Sequence, residues 1–268
     1  MRLLSAIAAA FLVSFALAGD MHPTPSTLTV LQLNMCGNAC SSGGLEVVAE
    51  LANTVDGRRP FAVTLNEVCE NQFVRLRIDL VAYQGQFDPT GPKCRNGTRY
   101  GNAIFLRTAS LTVVGSWPLP AVIFEEDRRL LCVGASSVVV CVTHLSVDRS
   151  NLPGQIDAVA TILSGLSGPV LLAGDFNSDP ADVRMDPLYQ RFHEVDAGVR
   201  GELNESVGSD VFNEDTFDRH KFDYIFLSDG SWSTSGADAS DAVNGRSDHD
   251  GLWATVTLHP TDGTLPIA

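Results

Sequence analysis

The stretch VLLAGDFNSDP, residues 170–180, sets an apolar run directly against a polar one. Val170 to Ala173 are short, apolar and bounded by turn residues, the signature of a buried strand. The run stops at Gly174, and Asp175 and Asn177 follow two residues apart. On an extended backbone, residues i and i+2 face the same side. The spacing therefore predicts an acid and an amide side by side where a strand leaves the core.

The same arrangement recurs in both directions along the chain. TLTVLQLNM (27–35) reads as a strand closed by Asn34, and FAVTLNEV (61–68) as one closed by Glu67. VVVCVTHL (138–145) ends at His144, KFDYIFLS (221–228) carries Asp223, and Ser247-Asp248-His249-Asp250 precedes GLWATVTL (251–258). YGNAIFLR (100–107) and LTVVGSW (111–117) are further strands. Helical spacing appears in LEVVAELANTV (45–55), stopping at Asp56-Gly57, in NQFVRLRIDLVAY (71–83), and after Pro153 in QIDAVATILSGL (155–166). Many strands with interspersed helices predict a mixed α/β protein whose sheets lie inside helical layers. A terminal Asp or Asn often just caps a turn. Seven polar strand ends point instead to a site assembled at one sheet edge.

Met1-Arg2, the apolar stretch Leu3–Leu17 and Ala16-Leu17-Ala18 form the pattern of a secretory signal peptide. The stretch is shorter than the roughly 20 residues a bilayer span needs. The expectation is removal of residues 1–18 and an exported, extracellular protein over 19–268, without stable membrane insertion. Export makes the 6 cysteines a disulfide set. Cys36 and Cys40 close a small loop, Cys132 and Cys141 flank a hairpin tipped by Ser136-Ser137, and Cys69 is left with Cys94. Zinc at Cys36-x-x-x-Cys40 lacks a second ligand pair.

The net charge is −14, which argues against a passive basic groove for nucleic acid. Divalent cations could still bridge this chain to a polyanion, aided by local bases such as Arg95, Arg99 and Arg107.

LQLNMCG, LNEVC, YGNAIFLR, VTHLS, GDFNSDP, FDYIF and SDHDGLW, in this order, resemble the endonuclease/exonuclease/phosphatase (DNase I-like) superfamily. The resemblance covers essentially the whole chain after residue 18. It implies a four-layer α/β/β/α sandwich with two central mixed β-sheets. It also implies a divalent-metal-dependent phosphoesterase that hydrolyses phosphodiesters. A monomer is expected. On that likeness Glu67 holds Mg²⁺ (or Mn²⁺ or Ca²⁺), with Asn34 and Asp248 alongside, hard oxygen ligands suited to such ions. Asp175 orients or deprotonates the attacking water and Asn177 holds the phosphate. His249, steered by Asp223, and His144 face the phosphate from either side. Arg99, Tyr100 and Asn102 are substrate contacts. Cys36 stands where the family's nucleases often carry Asp or Arg. Asp196 reads as a structural acid near the site, and His22, His193, His220 and His259 as surface or core residues.

A nuclease is the first functional expectation. The alternative is a lipid-directed sphingomyelinase or phosphoinositide phosphatase, for which WPLPAVIF (117–124) is the candidate membrane contact, though most of it is expected to pack in the core. A non-catalytic binding module would need lost site residues, and none is missing.

Overall fold

The β-rich runs pair into two six-stranded sheets. The structure is a computed structural model and describes residues 26–123, 126–197 and 214–259. The expected signal peptide, His22 and the last residue of WPLPAVIF lie outside them. In chain order the strands are β1 (Ser26–Asn34), β2 (Ala62–Cys69), β3 (Gln84–Pro89), β4 (Tyr100–Leu106), β5 (Thr112–Pro118), β6 (Arg129–Ala135), β7 (Val138–His144), β8 (Val170–Asp175), β9 (Phe192–Glu194), β10 (Asp223–Ser228), β11 (Trp232–Ser240) and β12 (Gly251–Leu258). One sheet runs β11-β12-β1-β2-β4-β3 and the other β5-β6-β7-β8-β10-β9. Each is mixed: β1–β2 and β7–β8 are parallel and the remaining pairs antiparallel.

Strand parity builds the layers. Leu31 and Leu33 of β1, and Val63 and Leu65 of β2, pack with Val47, Val48, Leu51 and Val55 of helix α1 (Glu46–Arg58) and with Phe73 and Leu76 of α2 (Glu70–Asp79). Leu172 and Phe226 pack on the far side against Ile156 and Val159 of α3 (Leu152–Ser164) and Leu188 of α4 (Asp186–Tyr189). The alternate residues, including Val30, Ile104, Val140, Leu171, Ala173 and Ile225, fill the space between the sheets. The result is a four-layer α/β/β/α sandwich.

Element ends differ from the sequence reading where tertiary contacts override local signals. Helix α1 runs through Asp56-Gly57 to Arg58 and ends on Arg59, whose φ is +51°. Helix α2 stops at Asp79 rather than Tyr83, because Tyr83 turns back to donate from its hydroxyl to the Pro60 carbonyl at 2.7 Å. Residues 84–89 then pair with β4. Pro153 lies inside the first turn of α3, where its missing N–H has no partner to lose. Strands β3, β9 and β11 carry too little apolar alternation to be read from sequence. Trp117 and Leu119 of WPLPAVIF face the core, but Ala121, Val122 and Ile123 are exposed, contrary to the expectation that most of the segment is buried. Among the described residues no helix is long and apolar enough to cross a membrane.

Three disulfides join Cys36 to Cys40, Cys69 to Cys94 and Cys132 to Cys141, with Cα separations of 5.3, 6.0 and 4.1 Å. Cys132 and Cys141 are register partners across β6–β7. The sulfurs of Cys36 and Cys40 lie near a carboxylate oxygen of Asp248, but they are bonded to each other and offer no thiolate to zinc. The bridge with the longest loop constrains the unfolded chain most. Replacing Cys69 and Cys94 together by Ser should lower unfolding free energy in urea by about 3 kcal/mol, against about 2 kcal/mol for the Cys36/Cys40 pair.

Candidate active site

The parity that packs Val30, Ile104, Val140 and Ala173 between the sheets also places Gln32, Asn34, Thr64, Asn66, Asn102, His144, Asp175 and Asp223 on those inner faces, at one end. In the second sheet, register aligns three of them side by side. His144 is the partner of Asp175 across β7–β8, and Asp175 the partner of Asp223 across β8–β10. Gly174 permits that closeness: its φ is +154°, and a Cβ there would lie 2.0 Å from the Thr143 carbonyl oxygen.

Asp175 is the centre of the constellation. Its Oδ2 lies 3.5 Å from His144 Nε2 and 3.8 Å from His249 Nε2, and it accepts a 2.9 Å hydrogen bond from Asn34 Nδ2. His249 Nδ1 is 2.8 Å from Asp223 Oδ2. Asn34 Nδ2 also reaches Glu67 Oε1 at 3.3 Å. Glu67 escapes the strand's alternation through the register shift between Leu65 and Val68 and a left-handed φ of +57°, the kind of bulge that re-aims a side chain. Ser247 Oγ donates to the Asn34 carbonyl at 2.7 Å and so ties the Asp248–His249 loop to the end of β1.

Asn177 joins by another route than the extended spacing suggested. Its φ is +48°, so strand alternation ends at Asp175. Its N–H donates to Asp175 Oδ1 at 2.9 Å, while its amide donates to the Leu145 carbonyl at 3.0 Å.

Behind these groups lies a network that the motifs did not single out. Asn66 Oδ1 accepts from Gln32 Nε2 at 2.7 Å and from the Asp175 N–H at 2.9 Å. Asn66 Nδ2 donates to Asn102 Oδ1 and to the Thr143 carbonyl, both at 2.9 Å. Gln32 Nε2 also reaches Asp223 Oδ1 at 3.0 Å, and Gln32 Oε1 accepts from Thr64 Oγ1 at 2.6 Å. A sequence signal existed: Gln32 and Asn34, like Thr64 and Asn66, are polar residues of one parity inside apolar strands.

Charge is unevenly distributed. Burial raises the Glu67 carboxyl, opposed by the Asn34 hydrogen bond, and nearby Asp248 raises it further. Burial and then Asp223 raise Asp175. Burial alone would lower His249, but its bond to Asp223 and the charges of Asp223, Asp175 and Asp248 push it up to about 9. His144 lies well below its usual range because of burial, Arg128 and His249. Two imidazoles beside one carboxylate are thus shifted in opposite directions. Burial and then Glu67 keep the Tyr100 phenol protonated.

The arginines are rearranged relative to expectation. Arg99 is engaged by Glu70, with Nε 2.9 Å from Oε2 and Nη2 on Oε1, in a surface groove with Phe73, Arg77 and Phe87. Arg95 Nη1 reaches the Ala39 carbonyl and Ser42 Oγ at 3.4 Å. Arg107 follows the opposite end of β4 from Tyr100, about 23 Å away at strand rise. Arg128, which the motifs did not include, is buried at the site, and its charge acts on Glu67, Tyr100 and His144. Asp196 pairs at 2.5 Å with the buried Lys221, which also meets Glu194 at 2.6 Å, two residues before Asp223.

A model of the Endonuclease/Exonuclease/phosphatase family matches residues 31–249. The chain belongs to that family. Its members are hydrolases acting on phosphoester bonds. No curated protein matches the chain. Among solved structures, the human Nocturnin catalytic domain with bound sulfate anion is 20% identical with a TM-score of 0.67, covering 87% of this chain and 93% of its own. D. rerio TDP2 complexed with single strand DNA product is 17% identical with a TM-score of 0.65, covering 86% and 99%. An endonuclease/exonuclease/phosphatase from Beutenbergia cavernae is 21% identical with a TM-score of 0.66, covering 87% and 72%. At these identities the likeness establishes the fold.

Asn66→Ala would leave the Asp175 N–H, the Thr143 carbonyl and two amides short of a partner inside the protein. A loss of about 3 kcal/mol in urea unfolding is expected, because stranded buried polar groups each cost about 1–3 kcal/mol and the site partly relaxes.

Proposed function

We propose that this family member is a divalent-metal-dependent phosphodiesterase that cleaves nucleic acid. The observation that carries the reading is Asp175, whose Oδ2 lies 3.5 Å from His144 Nε2 and 3.8 Å from His249 Nε2, with Asp223 holding the other nitrogen of His249. Hydrolysis of an anionic diester needs a positioned water and neutralised charge. In this reading Asp175 orients the water. His249, held through Nδ1 by Asp223, presents a charged Nε2–H to the phosphoryl oxygens. Asn102 Nδ2 and His144 Nδ1 are buried and lack a hydrogen-bond partner among the described residues, so substrate oxygens would complete them. Tyr100 and Arg128 line the same end, and Asn177 fixes the Asp175 loop.

Glu67, with Asn34 and Asp248, fits a hard divalent cation such as Mg²⁺, Mn²⁺ or Ca²⁺. Its carboxylate is destabilised by burial in just the way a bound cation relieves, and every donor is oxygen or can present one. Asn34 turns its NH₂ toward Glu67 and Asp175, so it ligates only after rotating its amide. A cation there supplies Lewis-acid neutralisation of the phosphoryl oxygens.

The single strand DNA product complexed with D. rerio TDP2 supports a nucleic-acid substrate. We further read residues 1–18 as a signal peptide and 19–268 as one exported domain acting as a monomer. Three disulfides are compatible with an extracellular protein.

A lipid diester is the second reading, favoured by one feature. Val122, Ile123 and Val147 are 79%, 49% and 65% exposed. They lie on two loops joined by Asn151, whose Oδ1 accepts from the Val122 and Ile123 N–H groups and whose Nδ2 reaches Ser146 Oγ. The second loop follows His144 directly. Comparing kcat/KM on DNA and RNA with that on sphingomyelin or phosphoinositide vesicles, in one metal buffer, decides between the readings. A vesicle preference selects the lipid one.

His144→Ala and His249→Ala should each lower kcat on bis-(p-nitrophenyl) phosphate by roughly 10²–10⁴-fold. His249→Ala should also lower the unfolding midpoint, because it leaves the buried Asp223 Oδ2 without its partner. Glu67→Gln should raise the Mg²⁺ concentration needed for half activity, and excess chelator should abolish turnover. Full turnover in chelator would refute the metal assignment.

A further inference from the structure

A ladder of rings leads outward from His249. The Phe217 ring lies 4.6 Å from His249, Phe222 stacks 5.8 Å from Phe217 at 19°, and His220 stacks 5.0 Å from Phe222 at 12°. A tight hairpin sets the geometry. Phe217 and His220 exchange backbone hydrogen bonds of 2.9 and 2.7 Å across Asp218 and Arg219, both with positive φ, as a two-residue hairpin turn requires. The rings are fixed as well as aligned. Asp179 holds His220 Nδ1 at 3.1 Å, and Thr216 Oγ1 accepts from the Phe222 N–H at 3.1 Å.

We propose that this ladder is a stacking platform for an unpaired nucleobase next to the scissile phosphate. The proposal rests on the nucleic-acid reading above and adds how such a substrate is held. Phe217 and Phe222 belong to none of the buried apolar clusters, so the fold's core does not account for them. The outer ring is open: the His220 side chain is 49% exposed. Centroid steps of 4.6, 5.8 and 5.0 Å connect His249 to the exposed ring, so a base stacked there belongs to the same strand as the reacting phosphate. Charge makes the same demand. At −14 the chain gains little from counterion release on a phosphate backbone, whereas stacking is indifferent to that charge. Base–aromatic stacking contributes about 1–3 kcal/mol per base, enough to hold a strand that the wider surface repels.

The test compares an oligothymidylate with a strand of equal length whose residues are all tetrahydrofuran abasic nucleotides. The two share their phosphates and differ only in bases. Wild-type protein should favour the base-bearing strand in kcat/KM by at least about tenfold. Phe222→Leu, which keeps apolar volume, and the exposed His220→Ala should each reduce that preference several-fold, chiefly through KM. Reduction by either variant supports the platform. Cleavage of both strands without preference, or a preference untouched in both variants, overturns the platform and leaves the nucleic-acid reading standing. Turnover of bis-(p-nitrophenyl) phosphate with neither strand cleaved overturns both.

Discussion

One buried amide holds the two halves of the molecule in register. Asn66 accepts twice and donates twice, and its four partners come from both sheets. An apolar sandwich tolerates polar groups between its sheets only when they are mutually paired. Here the pairing is nearly closed by Gln32, Thr64 and Asn102, which leaves Asp175, Asp223 and His144 at the network's outer face. The candidate site is thus the place where inter-sheet packing changes from side-chain volume to hydrogen bonding. A shift of one sheet against the other would break several bonds at once, which makes the spacing of His144, Asp175 and Asp223 a property of the fold.

The two histidines illustrate how placement, rather than residue type, sets chemistry. Both are buried beside Asp175, but only His249 has a carboxylate on its second nitrogen. His144 instead shares its surroundings with Arg128 and with His249 itself. Arg128 and His249 thus stand among the carboxylates of Glu67, Asp175, Asp223 and Asp248; both act on the ionisation of Glu67, and the other three carboxylates act on that of His249.

Much of this was legible in the sequence, for a physical reason. Polar residues that end apolar strands on one face cannot be explained by packing, so Asn34, His144, Asp175 and Asp223 stood out, and adjacent strands had to bring them together. Glu67 was legible as a residue type but not as a direction, since a bulge and a left-handed backbone turn it toward Asn34. Asn177 was read as extended and is left-handed. Gln32 and Asn66 left a signal in their parity but not their meaning, which lies in partners on the other sheet that no local window contains, and Arg128 left no local signal. Arg99 misled for the converse reason: it adjoins Tyr100 in sequence, but Glu70 draws it to the helical side. Strand β11 escaped because an exposed edge strand needs little apolar alternation.

Two of the covalent bridges acquire another meaning from their positions. Cys36 lies two residues past Asn34 and Cys69 two past Glu67, and each is tethered to a neighbouring loop. Both tethers lie outside the three large apolar clusters that hold the sheets and helices together, apart from a small group formed with Tyr100. The two bridges therefore act on alignment as well as on cohesion. Reducing them would loosen the two chain segments that carry Asn34 and Glu67, in addition to freeing the unfolded chain.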